Sequence, residues 1–598
     1  MIPIQDELSL RVGKVMEALG LEGDPLIRVA QDEQFGDYQS NCAMGLAKKL
    51  GRKPRDVAAS IVDKLQIDDL CEPPQIAGPG FINFRIKPGH LAERLKTIRP
   101  APVPGRDRLG IDPADHPEVV VVDLSSPNLA KEMHVGHLRS TVIGDCVCRI
   151  LEFFGHTVYR ENHVGDWGTQ FGMLVAHLRH VRPEVVNEPD KLEIQDLESF
   201  YVEAKERFDR DEEFRKESRQ TVVALQSGDE TTMRIWKAFC DESLRHCHKI
   251  YDRLGVRLLD RGESCYNDLM NEVIRRLEQG ADADGNPLAR ESEGALCVFM
   301  DGFKTREGEW LPLIVRKSDG GFNYATSDLA TLIHRIEELE ATRIIYVVGL
   351  PQKQHFEMIF AATRKAGWAG DHIRLEHLGF GSVLDAAGRP FKTREGGTVK
   401  LKDLLDEAVA RAREVVTQED EHSKRDQSLS PKQIDEIAET VGLASIKYYD
   451  LSHNLNSDYR FDFKQMLDME GNTAPYMLYA YARVKAIGRK AGVVFEELPA
   501  DAPVVIEHPS ELRLALTLAR FPEALAVAAR ELRPNVLTDY LLELSKAFSR
   551  FYDRKLGVRV IDASPDEVRL SRLKLCDLTA RTLKLGLGLL GIETLEQM

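Results

Sequence analysis

His134-Val135-Gly136-His137 sets two imidazoles three residues apart, at the point where a loop gives way to a helical pattern. On a helix that spacing places both rings on one face, near an N-terminus, where each can donate a hydrogen bond to a phosphate oxygen. Gly136 between them leaves room for a flat base or ribose to approach the backbone. Such a pair also arises by chance in helices, and two histidines can be zinc ligands. The companion ligands expected of a zinc motif do not follow here, so no protein metal site is expected. The chemistry that fits is phosphate binding by neutral or charged donors.

The elements that must position this pair are legible around it. Glu118 to Leu124 is a continuous run of Val with Leu, the pattern of a strand buried on both faces. Ser125-Ser126-Pro127-Asn128 breaks it, and from about Lys131 the pattern turns helical. Strand, loop and helix in that order open a nucleotide-binding parallel sheet, whose ligands sit at the carboxyl ends of the strands. The whole stretch SSPNLAKEMHVGHLRSTVIGD resembles the HIGH signature of class I aminoacyl-tRNA synthetases, in the form found in the arginyl-tRNA synthetase family. The resemblance extends, with varying strength, over essentially the full chain.

At 598 residues the chain has room for several domains, and 43% hydrophobic content supplies their cores. A formal net charge of −16 argues against a uniform electrostatic coat for DNA but not against RNA, since 80 Lys and Arg can cluster locally. Nine cysteines without paired CxxC spacing read as reduced thiols. MIPIQDE has no basic-then-apolar leader pattern, and no long uncharged apolar run follows, so a cytoplasmic protein with no membrane partner is expected.

Taken in order, Leu8 to Leu19 and Arg55 to Leu65 have helical spacing, and Phe81 opens a strand after the turn Ala77 to Gly80. Residues 99 to 117 carry five prolines and read as a linker. Thr157 to Arg160 reads as a short second strand, followed by the polar loop Glu161 to Gln170, similar to the family's HVGDWGTQ element. Residues from about 171 to 300 look largely helical, as a connective insertion would. Tyr324 and Asp328 are four apart on a further helix, so they share a face. Arg343 to Leu350 is a strand, and Leu375 to Leu384 a strand and loop. Beyond about 405 helix dominates, with a polar loop at Thr417 to Pro431 and an amphipathic face over Val536, Leu537, Tyr540, Leu541, Leu544, Phe548 and Phe551.

The remaining site residues follow from the resemblance. It implies that His134 and His137 contact the phosphates of ATP, with Gly136 beside the adenosine. The second class I signature is degenerate here, at Arg389 to Gly397, and leaves Lys392 and Arg394 as its cations, with Lys131 as the compensating lysine ahead of the first signature. Asp123, Asn128, Tyr324, Asp328 and Gln352 match the family's arginine-binding positions, and carboxylates suit a planar, permanently charged guanidinium. Phe81 and Asn83 match positions that read an extruded tRNA base. Tyr476, Tyr479 and Arg483 match the anticodon-binding element, where tyrosines stack on unpaired bases.

The expectation is therefore a multidomain α/β protein: a class I Rossmann-type parallel-sheet catalytic domain with a helical insertion, an N-terminal α+β domain and a C-terminal all-α bundle. Residues 1–110 would bind the tRNA D-loop, 111–405 would hold the catalytic domain with its insertion at about 171–300, and 406–598 would bind the anticodon. The implied activity joins arginine to its tRNA at the acceptor end, using ATP with Mg2+, in a monomer that needs bound tRNA for activation. The alternative is a tRNA-binding or regulatory protein on an inactive synthetase scaffold.

Overall fold

The computed structural model describes residues 2–100, 107–189, 192–282, 284–305, 307–385, 387–389, 399–422, 429–499, 501–553, 555 and 558–598. The chain forms two compact units, Met1–Pro113 with Asp468–Met598, and Ala114–Leu467.

In the first unit, helix Ile4–Ala18 buries Ile4, Leu8, Val12 and Met16, one residue per turn. Strands β1 (Ile27–Val29), β2 (Tyr38–Ser40), β3 (Gln75–Ala77) and β4 (Phe81–Phe84) make an antiparallel sheet in the order β1-β2-β4-β3. In β4 Ile82 and Phe84 are buried, and so is the polar Asn83. It tolerates this because Gln39 Nε2 donates to its Oδ1 at 2.8 Å. The rest of this unit is helical, with helices Ala474–Ala491, Pro509–Ala519, Phe521–Glu531, Pro534–Phe551 and Asp566–Leu589. Six of the seven residues expected on the apolar face of Pro534–Phe551 are buried; Val536 is half-buried. Glu523 ties the sheet to these helices, since its Oε1 accepts from the Tyr38 hydroxyl at 2.8 Å and from Gln5 N at 2.9 Å.

The second unit is built on five parallel strands: β5 (Val119–Asp123), β6 (Thr157–Val164), β7 (Leu259–Gly262), β11 (Arg343–Tyr346) and β12 (Arg374–His377). Their order is β12-β11-β5-β6-β7. Between β7 and β11 the chain adds a three-stranded antiparallel sheet, β8 (Ala289–Ser292), β9 (Ala295–Val298) and β10 (Leu313–Arg316).

Three expectations change here. The second strand runs eight residues rather than four. Glu161 and Asn162 read as loop by polarity, yet both are fully buried and held by side chains: Arg335 Nε donates to Glu161 Oε2 at 2.7 Å, and Asn162 Nδ2 donates to Asp260 at 2.8 Å. The helical insertion ends at Leu254, after which β7 returns to the central sheet. The helix start expected near Lys131 lies at Val135, with His134 as its N-cap.

The boundary expected near 405 falls within this second unit, because helices Leu401–His422 and Pro431–Ser452 remain part of it. The signature helix Val135–Phe153 is anchored to the second of them by Arg139, whose Nε lies 3.2 Å from Asp450 Oδ2 with both groups buried. Helix Leu401–His422 continues past Thr417, where a polar loop is expected to begin, and residues 423–428 lie outside the described residues. Among the described residues no helix is long and apolar enough to cross a membrane.

The signature helix sits close to the first strand because residue 144 is glycine. A Cβ there would lie 2.4 Å from Leu124 Cβ, too near for any side chain. Gly144→Ala should therefore lower stability by about 1–3 kcal/mol, read as a lower urea midpoint, although alanine is the better helix former. A rise in the midpoint would show that the helix can shift freely.

Candidate active site

The loop after β5 turns through two serines with left-handed backbones, Ser125 (φ 68°) and Ser126 (φ 49°). Side chains hold them there: Ser125 N donates to Ser140 Oγ at 2.8 Å, and Ser126 N donates to Asn162 Oδ1 at 3.0 Å. Strain of this kind persists only where surroundings enforce it, and it concentrates at functional sites.

His134 and His137 form a capping box at the start of the helix that follows. Gly136 N donates to His134 Nδ1, and His134 N donates to His137 Nδ1, each at 3.0 Å. With Nδ1 accepting in both rings, the proton of each neutral imidazole sits on Nε2, which leaves one N–H donor per ring. Burial pushes both pKa values down, His137 to about 3, so neither ring is cationic at neutral pH. Gly136 is required by the cap itself, since a Cβ there would lie 2.7 Å from His134 Cε1.

Lys131 precedes the helix and lies over the Tyr201 ring, 4.5 Å from its centroid. His134 pairs by a backbone bridge with Lys400, just after the second signature, and Lys400 Nζ contacts Asp196 at 3.0 Å and Glu132 at 3.6 Å. Lys392 and Arg394 lie outside the described residues.

A cleft of about 280 Å³ opens at the carboxyl ends of β5, β6 and β11, lined by Asp123, Asn128, His163, Glu263, Asp328 and Tyr346 among others. Three of the five expected arginine-binding positions thus meet in one place. Tyr324, 75% exposed, and Gln352, also exposed, do not line it.

The three acids of the cleft differ in what holds them. Asp123 accepts from Arg335 Nη2 and from Ser126 Oγ, each at 2.7 Å, so its charge is balanced inside the chain. Asp328 Oδ2 lies 2.6 Å from His355 Nε2, a contact that raises the histidine pKa. Glu263 has no hydrogen-bond or ionic partner among the described residues. Burial, with Asp328 and Asp166 nearby, pushes its carboxyl up to about 7. Two facing acids, one of them poised at neutrality, make a site for a cation that can bridge both.

Family profiles divide the chain in the same sense. The one described as tRNA synthetases class I (R), catalytic domain, matches residues 106–463. The DALR anticodon binding domain matches 477–598, and the arginyl tRNA synthetase N terminal domain matches 4–86. An arginine–tRNA ligase of a Nostoc species is 52% identical over 99% of both chains, and that of Trichodesmium erythraeum is 47% identical over the whole of both.

The chain belongs to the arginyl-tRNA synthetase family.

Solved arginyl-tRNA synthetases agree in fold. The Plasmodium falciparum structure superposes with a TM-score of 0.84 at 29% identity over all of both chains. The Thermus thermophilus structure gives 0.80 at 26%, over 99% of this chain and all of that one. Of the positions matched to tRNA-binding residues of this family, Phe81 is half-buried and Asn83 buried on β4. Tyr476, Tyr479 and Arg483 follow one face of helix Ala474–Ala491 at i, i+3 and i+7; Tyr479 is exposed, and the Arg483 guanidinium lies over Tyr552 at 5.3 Å.

Several cleft residues have no signal of their own in the sequence. Glu263, Arg335, His355 and Tyr346 carry no motif. His163 lies in a recognisable stretch, the HVGDWGTQ element, and Asn128 in the signature stretch.

Glu263 gives a two-sided test. Its folded pKa stands above the usual carboxyl value, so the folded chain keeps this proton longer than the unfolded chain, and stability falls as pH rises from about 4.5 through about 7. Glu263→Gln removes that cost and should stabilise the arginine-free protein at pH 8 by on the order of 1–3 kcal/mol, with little change at pH 4.5. The same variant should bind arginine more weakly at pH 8, and wild-type affinity for arginine should rise between pH 6 and 8. Thermal melts and calorimetric titrations at the two pH values check both signs.

Proposed function

We propose that this chain is an arginine–tRNA ligase that activates arginine with ATP and transfers it to the 3′-terminal adenosine of its cognate tRNA. An oxygen of the arginine carboxylate attacks the α-phosphorus, and pyrophosphate leaves. A ribose hydroxyl of the terminal adenosine then attacks the arginyl carbonyl, and AMP leaves. No side-chain nucleophile is required, so the protein's work is placement and charge balance.

The observation that carries this reading is the pair of acids, Glu263 and Asp328, in a cleft on the same sheet edge as the double-imidazole cap. In this reading Glu263 and Asp328 take the guanidinium, Asn128 and Asp123 orient the amino acid, and Tyr324 and Gln352 complete the set from outside the cleft. The Nε2–H groups of His134 and His137 meet phosphate oxygens, Gly136 lies beside the adenosine, and Lys131, Lys392 and Arg394 balance the charge of departing pyrophosphate. Phe81 and Asn83 belong to a D-loop-binding domain over residues 1–110. The catalytic domain runs on past the expected boundary at 405 to Leu467, and Tyr476, Tyr479 and Arg483 lie in the anticodon-binding part that follows.

Among the described residues no group of three or more His, Cys, Asp or Glu is placed to hold a metal ion. In this reading magnesium comes with ATP, bound to its phosphates. The protein acts as a monomer in the cytoplasm, and bound tRNA is needed before arginine is activated.

Charging of total tRNA with each amino acid in turn tests the reading. ATP-dependent charging by arginine alone is expected, with ATP–pyrophosphate exchange appearing only when tRNA is added. Exchange at full rate without tRNA would remove the tRNA requirement. Binding of tRNA with no charging by any amino acid would make this an inactive scaffold.

A further inference from the structure

Residues 48–55 read KKLGRKPR, five cations in eight positions of a chain whose net charge is −16. They occupy a turn between helices Cys42–Leu50 and Pro54–Val62, closed by Gly51 in a left-handed conformation (φ 64°). Lys48, Lys49, Arg52, Lys53 and Arg55 are all exposed, and none makes an ion pair among the described residues. Helix energetics explains only part of this. Lys48 and Lys49 stand in the last turn of a helix, where positive charge is favourable. Lys53 is the N-cap of the next helix and Arg55 lies in its first turn, where positive charge opposes the helix dipole and an Asp or Ser cap would stabilise. Lys53 makes no capping hydrogen bond. Five cations crowded together also repel one another. Arg52 and Arg55 find only neutral oxygens, on Ser60 and Gly78, and among the described residues no carboxylate pairs with any of the five, which points to an external anion.

The turn's neighbour indicates which one. Arg55 Nη1 donates to Gly78 O at 2.9 Å, and a Cβ at Gly80 would come within 2.9 Å of the Pro54 carbonyl carbon. The basic turn is therefore packed against the Ala77–Phe81 turn, which carries the aromatic ring of Phe81 at its end. A patch of unpaired cations beside a half-buried aromatic is the pairing that single-stranded and loop RNA uses, phosphates on one and a base on the other.

We propose that the Lys48–Arg55 turn is an RNA phosphate-binding surface, which grips the backbone of the tRNA whose extruded base meets Phe81. This rests on the reading of the N-terminal part as tRNA-binding, and deepens it by assigning the electrostatic part of the contact to this turn.

Salt dependence separates the phosphate surface from the base contact. The full chain carrying Lys48→Gln, Lys49→Gln, Arg52→Gln and Lys53→Gln keeps Arg55, which is bonded to Gly78, and is compared with wild type and with Phe81→Ala. The dissociation constant for the cognate tRNA is measured across a salt series. Every phosphate that no longer meets a cation should reduce the slope of log K against log salt by about 0.7–0.9, so the four-fold variant should have a slope smaller by about 3 and bind about ten-fold or more weakly at low salt. Phe81→Ala should weaken binding at every salt concentration with its slope preserved. A reduced slope in the four-fold variant with no effect of Phe81→Ala would keep the phosphate surface and remove the base contact. An unchanged slope in the four-fold variant would overturn the proposal. So would an unchanged tRNA slope accompanied by weakened binding to phosphatidylserine vesicles, which would make a membrane surface the partner.

Discussion

Arg335 is fully buried beneath the cleft, and the active-site floor depends on it. Its Nε donates to Glu161 on β6 and its Nη2 to Asp123 on β5, each at 2.7 Å, from helix Tyr324–Glu337. The guanidinium also lies over the ring of Tyr346 at the end of β11, 5.0 Å from its centroid. One side chain thus binds the carboxyl ends of three adjacent strands to the helix that carries Asp328. A guanidinium in such a place is tolerable only because two carboxylates share it. Removing one partner would leave an uncompensated charge and cost about 3–5 kcal/mol.

That internal pairing also decides what the cleft can recognise. Because Asp123 is balanced by Arg335, it contributes position and hydrogen bonding rather than free charge. Asp328 is held through one oxygen by His355, and Glu263 by nothing among the described residues. The histidines follow the same logic. Both Nδ1 atoms are spent on the helix cap, which fixes the tautomer and leaves a single N–H on each ring. Groups without an internal partner are the ones with a ligand to meet.

Local patterns make much of this legible in the sequence. The Val run of β5, the serine-proline break and the paired histidines locate the nucleotide-binding unit. The amphipathic stripe of Pro534–Phe551 locates a packed helix. What stays hidden depends on burial of polar residues by distant partners. Glu161 and Asn162 read as loop because their partners, Arg335 and Asp260, lie 174 and 98 residues away in the chain. Glu263 follows a strand with no motif, and its character comes from burial first and then from Asp328 and Asp166, all supplied only by the fold. Gly136 is expected from sequence to make room for a ligand, whereas its first constraint is the ring of His134. Tyr324 and Gln352 match the family's arginine-binding positions, and both are exposed and do not line the cleft, which neither a shared helix face nor a motif match reveals.

The central claim is that the cleft recognises positive charge through Glu263, which has no partner among the described residues, beside Asp328, which only His355 holds through one oxygen. Equilibrium binding of arginine against citrulline, its neutral near-isostere, tests that most directly at pH 8, where Glu263 is ionised. The account predicts that citrulline binds at least about a hundred-fold more weakly, because it leaves Glu263 without a counter-charge and Asp328 with His355 alone. Comparable affinity for the two would mean that shape and neutral hydrogen bonds select the amino acid, and that these acids are not its recognition element.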